Sequence, residues 1–246
     1  MAVIAIYSVK GGVGKTTLAV DLAWRLATHG PHTTLLWDLD QQGGAGYLLG
    51  RDPPQARRAA AVFQREGKPR QLITLTDYQR LSLIEADESL RQLPMQLARL
   101  GQRKRLATMT AFLKAEFARI VLDFPAGLNE IAEQALAAAD IVIVPLPPSP
   151  LSARALETVR RELARLHLRH PPILPVLSMY DSRRKLHREV ARDMASGWPV
   201  IPMSSPIEQA AVRRAPLGTY AASSDAARAM ARLFEGIEAR IAQGRP

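Results

Sequence analysis

The run Lys10-Gly-Gly-Val-Gly-Lys-Thr-Thr17 lies between an apolar stretch at 3–7 and a stretch of helical periodicity at 16–28. Strand, glycine-rich turn and helix in that order constrain the fold more than any other feature of the chain, because a phosphate-binding loop is built that way. Glycines let successive backbone N–H groups turn inward around a phosphate with no Cβ in the way. The helix N-terminus adds the positive end of its dipole. Lys15 is expected to reach the β- and γ-phosphates, and Thr16 to place its hydroxyl on Mg²⁺. The expected nucleotide contacts are therefore Lys10, Gly11, Gly12, Val13, Gly14, Lys15, Thr16 and Thr17.

The rest of the chain repeats the same alternation. Short apolar runs occur at 3–7, 33–37, 81–86, 119–122, 141–145, 173–177 and 200–203. Runs without polar interruption suit strands buried on both faces. Helical stretches lie between them, for example at 16–28, 130–139 and 153–168. The expected fold is α/β: a mostly parallel twisted sheet with helices on both faces, as one domain over residues 1–246. Leu18, Leu22 and Leu26 should face the sheet, and the first helix should stop at Gly30-Pro31. In the last helix, 225–242, Met230, Leu233, Phe234, Ile237 and Ile241 form one stripe. That stripe reads as packing rather than as a membrane-surface face, since Glu235 and Glu238 fall inside the helix and anionic lipid would repel them. The polar, basic stretches at 51–70 and 102–105 read as surface loop and helix-end material.

Composition removes several chemistries. With no cysteine there is no disulfide, thiolate metal site, iron–sulfur cluster or cysteine nucleophile. Lys and Arg number 33 against 23 Asp and Glu, a net charge of +10, which points to an anionic partner. The most apolar stretch, 141–146, is far shorter than the ~20 residues of a spanning helix. The N-terminus reads directly as a strand and not as a leader.

The segment KGGVGKTT at 10–17 resembles the deviant Walker A motif of the ParA/MinD family. The likeness extends along nearly the whole chain, in order. Trp37-Asp-Leu-Asp-Gln-Gln-Gly43 resembles that family's "DLDPQG" segment. Val121-Leu-Asp-Phe-Pro125 resembles its Walker B strand and "DxPP" turn. Ala139 to Pro145, Met179-Tyr-Asp181 and Val200-Ile-Pro202 resemble its later motifs. The resemblance implies a Mg²⁺-dependent ATP hydrolase with a slow basal rate and an ATP-sandwich homodimer. Lys10 would cross to the partner's phosphates, and Lys15 would hold the chain's own. Asp40 would orient the attacking water, Asp123 would hold magnesium through water, and Asp38 would sit near the metal shell. Pro202 and Met203 would lie against the base. The chain departs from the pattern at Gln41, Ala126 and Ser178, where the family has proline, proline and often an adenine-reading asparagine. Arg213-Arg214 stands near the place of a family acidic residue. Adenine selectivity is thus less secure than the phosphate chemistry.

Cysteine-dependent relatives do not fit this composition. A first strand that starts at residue 2 leaves no N-terminal helix-turn-helix domain, and the ending Ile-Ala-Gln-Gly-Arg-Pro carries no basic membrane helix. The expectation is a short ParA-like partitioning or positioning ATPase. It would be cytoplasmic, nucleoid-associated when ATP-bound, without stable membrane insertion, and released from DNA by a cargo-bound, ParB-like activator. The alternatives are a MinD-like membrane-cycling ATPase and a nucleotide-binding scaffold with negligible turnover. Arg183, Arg184, Lys185 and Arg188, with Arg213-Arg214 in a loop region after the last strand, are the expected contacts to double-stranded DNA. No aromatic residues are interleaved with them, so the phosphate backbone, read without sequence preference, is the expected target.

Overall fold

A strand that is apolar at every position needs cover on both faces, and the fold provides two cores. The computed structural model describes residues 1–52, 54, 58–63, 67–100, 104–166 and 171–244. Parts of the basic stretches (53, 55–57, 64–66 and 101–103), the expected end of the helix at 153–168, and residues 245–246 lie outside the described residues. The strands are β1 Ala2–Ile6, β2 Thr34–Asp38, β3 Ile73–Leu75, β4 Leu81–Ile84, β5 Arg119–Asp123, β6 Ile141–Leu146, β7 Ile173–Tyr180 and β8 Val200–Pro202. They form one sheet in the order β3-β4-β2-β5-β1-β6-β7-β8. Only the β3–β4 pair is antiparallel among these.

Side chains alternate between the two cores along each central strand. Val3, Ala5, Leu35, Trp37, Ile120 and Leu122 pack into one. Ile4, Ile6, Leu36 and Val121 pack into the other. The helices are α1 Lys15–Thr28, α2 Gly44–Leu48, α3 Leu93–Leu100, α4 Arg105–Leu113, α5 Glu130–Ala138 and α6 Leu151–Leu166, followed by α7 Lys185–Asp193, α8 Ser205–Glu208, α9 Ala210–Arg213, α10 Leu217–Tyr220 and α11 Asp225–Ala242. Residues of α3 to α6 join the first core, while those of α1, α2 and α9 to α11 join the second. Leu18, Leu22 and Leu26 are buried as expected.

Helix α11 packs. Met230, Leu233 and Ile237 are buried, with Phe234 and Ile241 half-buried against the same core. Glu238, one of the two glutamates that argue against lipid, is gripped by Arg119 of β5 through two hydrogen bonds of 2.8 and 2.9 Å and by His32 at 2.7 Å. Burial raises the Glu238 carboxyl, but its bonds to Arg119, with His32 adding, outweigh that and hold it below its usual range.

Two expectations are corrected. The stretch 51–70 is not all surface loop: Ala59–Phe63 form a 3₁₀ turn whose Ala59, Ala60, Val62 and Phe63 are buried in the first core. Apolar residues embedded in a basic segment found cover because Asp87 accepts the backbone amides of Arg58 and Ala59 at 2.6 and 2.7 Å and pins the turn. The antiparallel edge strand β3 was also missed, since three residues give too short an apolar run to register.

A buried ion pair anchors α1. Arg25 donates to Asp21 at 2.6 Å, with side chains 7% and 1% exposed, and the Gly218 amide donates to the other Asp21 oxygen at 3.3 Å. Removing one partner strands the other charge in the core, so Asp21→Ala should cost about 3–5 kcal/mol of stability. Urea unfolding of parent and variant measures this. A midpoint equal to the parent's would show that the pair contributes nothing.

Candidate functional site

Strand β1 runs into residues 8–14, and α1 leaves from Gly14. Gly12 and Gly14 adopt φ of +71° and +86°, which a side chain resists. A Cβ at Gly11, Gly12 or Gly14 would meet nothing within 4 Å, so the loop surrounds open space. No side chain caps α1. Its first-turn amides therefore stay available to an anion, and the helix dipole favours one. Lys15, the first helical residue, is only 8% exposed. The β1 position is also where the chain switches direction in the sheet: β5 lies on one side and β6 on the other. Such a crevice at the carboxyl ends of the strands is the ligand position in open α/β sheets.

Two carboxylates stand side by side next to this loop. In the parallel register of β2 and β5, Asp38 pairs with Asp123, and Asp123 pairs in turn with Ile6 of β1. Both are buried, at 0% and 1% exposure. Their chemistry differs. Asp38 accepts the amides of Asp40 at 3.0 Å and Ala45 at 2.9 Å. It thereby fastens the turn that carries Asp40 and the start of α2. Neither oxygen of Asp123 has a well-formed hydrogen bond. Burial, and then the charge of Asp123, pushes the Asp38 carboxyl well above the usual range. Burial raises Asp123 too, against the pull of the nearby Thr16 hydroxyl and Lys15 ammonium. Two adjacent buried carboxylates, one unpartnered, beside a threonine hydroxyl fit a divalent cation: that charge would satisfy what the protein leaves uncompensated. Asp40 is half-buried, and its side chain accepts the Gln42 amide at 3.1 Å. Lys10 is half-buried at the loop's entry, where its amide donates to the Ser8 hydroxyl at 3.2 Å.

On the α1 side, a pocket brings Gly14 and Thr17 of the loop together with Ser178 and Met179 of β7 and with Pro202 and Met203. The last two thus adjoin the phosphate loop, far from it in sequence. A larger cleft of about 580 Å³ lies on the other side, between Gln41–Tyr47 and residues 85–88. Its walls carry Arg51 against Asp52, Glu85, Asp87 and Glu88, so a phosphate would be repelled there. Electrostatics therefore selects the smaller pocket as the one continuous with an anion site.

The basic residues expected to meet DNA are placed as follows. Arg183 and Arg184 both pair with Asp181, at 2.9 and 3.5 Å, and remain 88% and 62% exposed. Lys185 pairs with Glu189 at 3.8 Å, and Arg188 donates to the Ser182 and Arg183 carbonyls. Arg213 and Arg214 are not in a loop: Arg213 closes α9 and Arg214 caps it with φ +50°. A polar context hid this turn, of which only Ala210 reaches the second core. Arg213 lies over the Tyr220 ring, 5.0 Å from its centroid. Arg214 lies over Tyr47 at 4.7 Å and bonds to Asp52 at 2.9 Å.

A family model described as an AAA domain matches residues 1–175. A chromosome partitioning protein ParA of Caulobacter vibrioides is 32% identical over 202 residues, covering 79% of this chain and 75% of that protein. A chromosome-partitioning ATPase Soj of Thermus thermophilus is 30% identical over 254 residues, covering 97% and 96%. Among solved structures, a cobyrinic acid a,c-diamide synthase from Mycobacterium smegmatis with an ATP analogue and magnesium superposes with a TM-score of 0.82 at 27% identity, covering 100% of this chain and 97% of that one. The septum site-determining protein MinD from Pyrococcus horikoshii, with Mg-ADP, gives 0.81 at 22% identity, covering 100% and 98%, a likeness of fold alone.

Proposed function

Because the chain belongs to the ParA/MinD family of P-loop ATPases, we propose that it is an ATP-dependent positioning or partitioning ATPase: it binds ATP and magnesium at the 10–17 loop, pairs with a second copy into an ATP-sandwich dimer, and holds DNA without sequence preference. A cargo-bound, ParB-like partner stimulates hydrolysis and releases it. The observation that carries the reading is the unpartnered, buried Asp123 beside Asp38, Thr16 and Lys15.

Magnesium, when bound, supplies charge that neutralises phosphate oxygens. Thr16 and Asp123 would hold it, Asp123 through water. Among the described residues no three acidic or histidine side chains gather around one point. Phosphate oxygens and water would complete a shell of the kind magnesium favours. Asp38, already tied to two amides, fixes the turn on which Asp40 stands. Asp40 would orient the attacking water. Lys15 and the partner copy's Lys10 place positive charge where negative charge develops. The slow basal rate follows if the turn at Asp40 is ordered for attack only with the activator present.

The DNA reading rests on the charge of +10 and on the exposed cations of α7 and α9. The Lys185–Glu189 pair is exposed and weak. Arg183 holds the mostly buried Asp181 through two hydrogen bonds of 2.9 and 3.0 Å, but its own side chain stays 88% exposed and open to a phosphate. Arg214 also ties α9 to Tyr47 and Asp52, so the test variant leaves it in place. The triple variant Arg183→Ala, Arg184→Ala, Arg213→Ala should keep ATP binding and lose DNA affinity. Its salt slope should fall by about one for each lost phosphate contact. Fluorescence anisotropy on a duplex with ATP, with ADP as the control, measures this. A parent that binds no duplex in ATP would defeat the DNA reading. Binding instead to anionic vesicles in ATP would favour the membrane-cycling alternative. No helix among the described residues is long and apolar enough to cross a membrane.

A further inference from the structure

Helix α9 ends on Arg214, which caps it in the left-handed conformation at φ +50°. Glycine takes that conformation without strain, and an arginine does not. What the arginine adds is its grip. Its guanidinium lies over the Tyr47 ring at 4.7 Å, donates to the Tyr47 carbonyl at 3.4 Å and pairs with Asp52 at 2.9 Å. The backbones also approach here: a Cβ on Gly50 would stand 3.8 Å from the Arg214 carbonyl oxygen. The far end of α2, with Asp52 beyond it, is thus clasped to the end of α9. The near end of α2 stands on the phosphate and metal site. Asp38 accepts the Ala45 amide at 2.9 Å. Gly44 lies over Thr16 with no room for a side chain, since a Cβ there would come within 3.1 Å of the threonine methyl. Between the two ends are only the five residues Gly44–Leu48, closed by the Tyr47 amide on the Gly43 carbonyl at 3.1 Å. A single packed turn of this kind transmits a shift at one end to the other.

We propose that the clasp of Arg214 on Tyr47 couples the basic end of α9 to the occupancy of the phosphate and metal site, with α2 as the lever between them. The inference rests on the nucleotide site proposed above. Thr16, once its hydroxyl is held, fixes the start of α2 through Gly44, and Arg214 passes that order on to α9. One element biased from both ends is the physical requirement for coupling between two sites, and such coupling is reciprocal. Arg213 makes the other tether of α9. It lies over the Tyr220 ring at 5.0 Å, and the Tyr220 hydroxyl donates to the Pro206 carbonyl at 2.7 Å. That tether runs to α8, not to Asp38 or Thr16, so the two arginines separate the two routes.

Hydrogen exchange of the full chain, with and without saturating magnesium and ADP, tests this without turnover. The amides to follow are those of residue 47 in α2 and residue 213 in α9, which bond to the Gly43 and Gln209 carbonyls. In the parent both should exchange more slowly with ligand, by about fivefold or more, the lower end of a usual coupling between sites. Arg214→Gly keeps the cap conformation and removes the clasp. The slowing should remain at residue 47 and be lost at residue 213. Tyr47→Leu, which takes away the ring under Arg214 and leaves the cap alone, should give the same loss. Arg213→Ala should keep the slowing at both positions. Calorimetry reports ADP binding separately. Bound ADP with no slowing at residue 213 of the parent overturns the proposal while leaving the nucleotide site standing. Slowing there that survives Arg214→Gly, or that disappears with Arg213→Ala, overturns it too, since the order would then travel by another route. If ADP does not bind, the nucleotide site itself is refuted and this inference with it.

Discussion

Lys15→Ala is expected to lower the affinity for magnesium-ATP by at least about a hundredfold, on the ground that two charge-assisted hydrogen bonds to phosphate are together worth about 3–6 kcal/mol and each 1.4 kcal/mol is a factor of ten. The expectation comes from position. Lys15 opens α1 directly after the glycine turn and is only 8% exposed, so its ammonium is held at the loop and not free in solvent. The same charge faces the buried Asp123. The variant would therefore lose the proposed phosphate contact and also the neighbour that lowers the Asp123 carboxyl, the proposed metal holder. Calorimetry reads the affinity, and circular dichroism checks that the fold survives. Binding within a few-fold of the parent would move the phosphate site away from Lys15.

Asp40→Asn is expected to leave ATP affinity close to the parent's while slowing hydrolysis by about 10²-fold or more, the usual reach of a group that orients a nucleophile and takes its proton. Asparagine keeps the side-chain oxygen that receives the Gln42 amide, so the turn at 40–43 stays formed. The substitution then separates chemistry from structure, which Asp40→Ala does not. Single-turnover hydrolysis gives the rate, and light scattering in ATP shows whether the dimer accumulates, as it should when the step that dissolves it is slowed. Turnover at the parent rate would leave Asp40 with only the task of closing its turn.

The basic surface illustrates why exposure alone is a poor guide to function. In the sequence Arg183 and Arg214 carry the same expectation, a contact to double-stranded DNA. In the structure the first pairs with Asp181 yet stays 88% exposed, while the second links the end of α9 to Tyr47 of α2 and to Asp52 beyond it. Those partners are distant in sequence from Arg214, and no local pattern marks them.

What the sequence determined by itself was local. The glycines and lysines of 10–17 sit consecutively on the chain, so their joint purpose can be read without folding anything. The strands and the first and last helices follow from apolar periodicity, which packing on two faces imposes directly on neighbouring residues. Tertiary structure decided what depends on register and on distant partners. Asp38 and Asp123 become neighbours only because β2 pairs with β5, and only then does one prove anchored to backbone amides and the other unpartnered. The brief β3 is antiparallel because only residues 76–80 join it to β4, too short a connection for the crossover that a parallel pair needs. The buried turn at Ala59–Phe63 needed Asp87 to hold it. Ser178 became the floor of a pocket through the slip between β7 and β8. Apart from the β3–β4 hairpin, each stabilising contact joins residues that are far apart along the chain, and a hydrogen bond or a shared cavity between them exists only once the sheet has set their register.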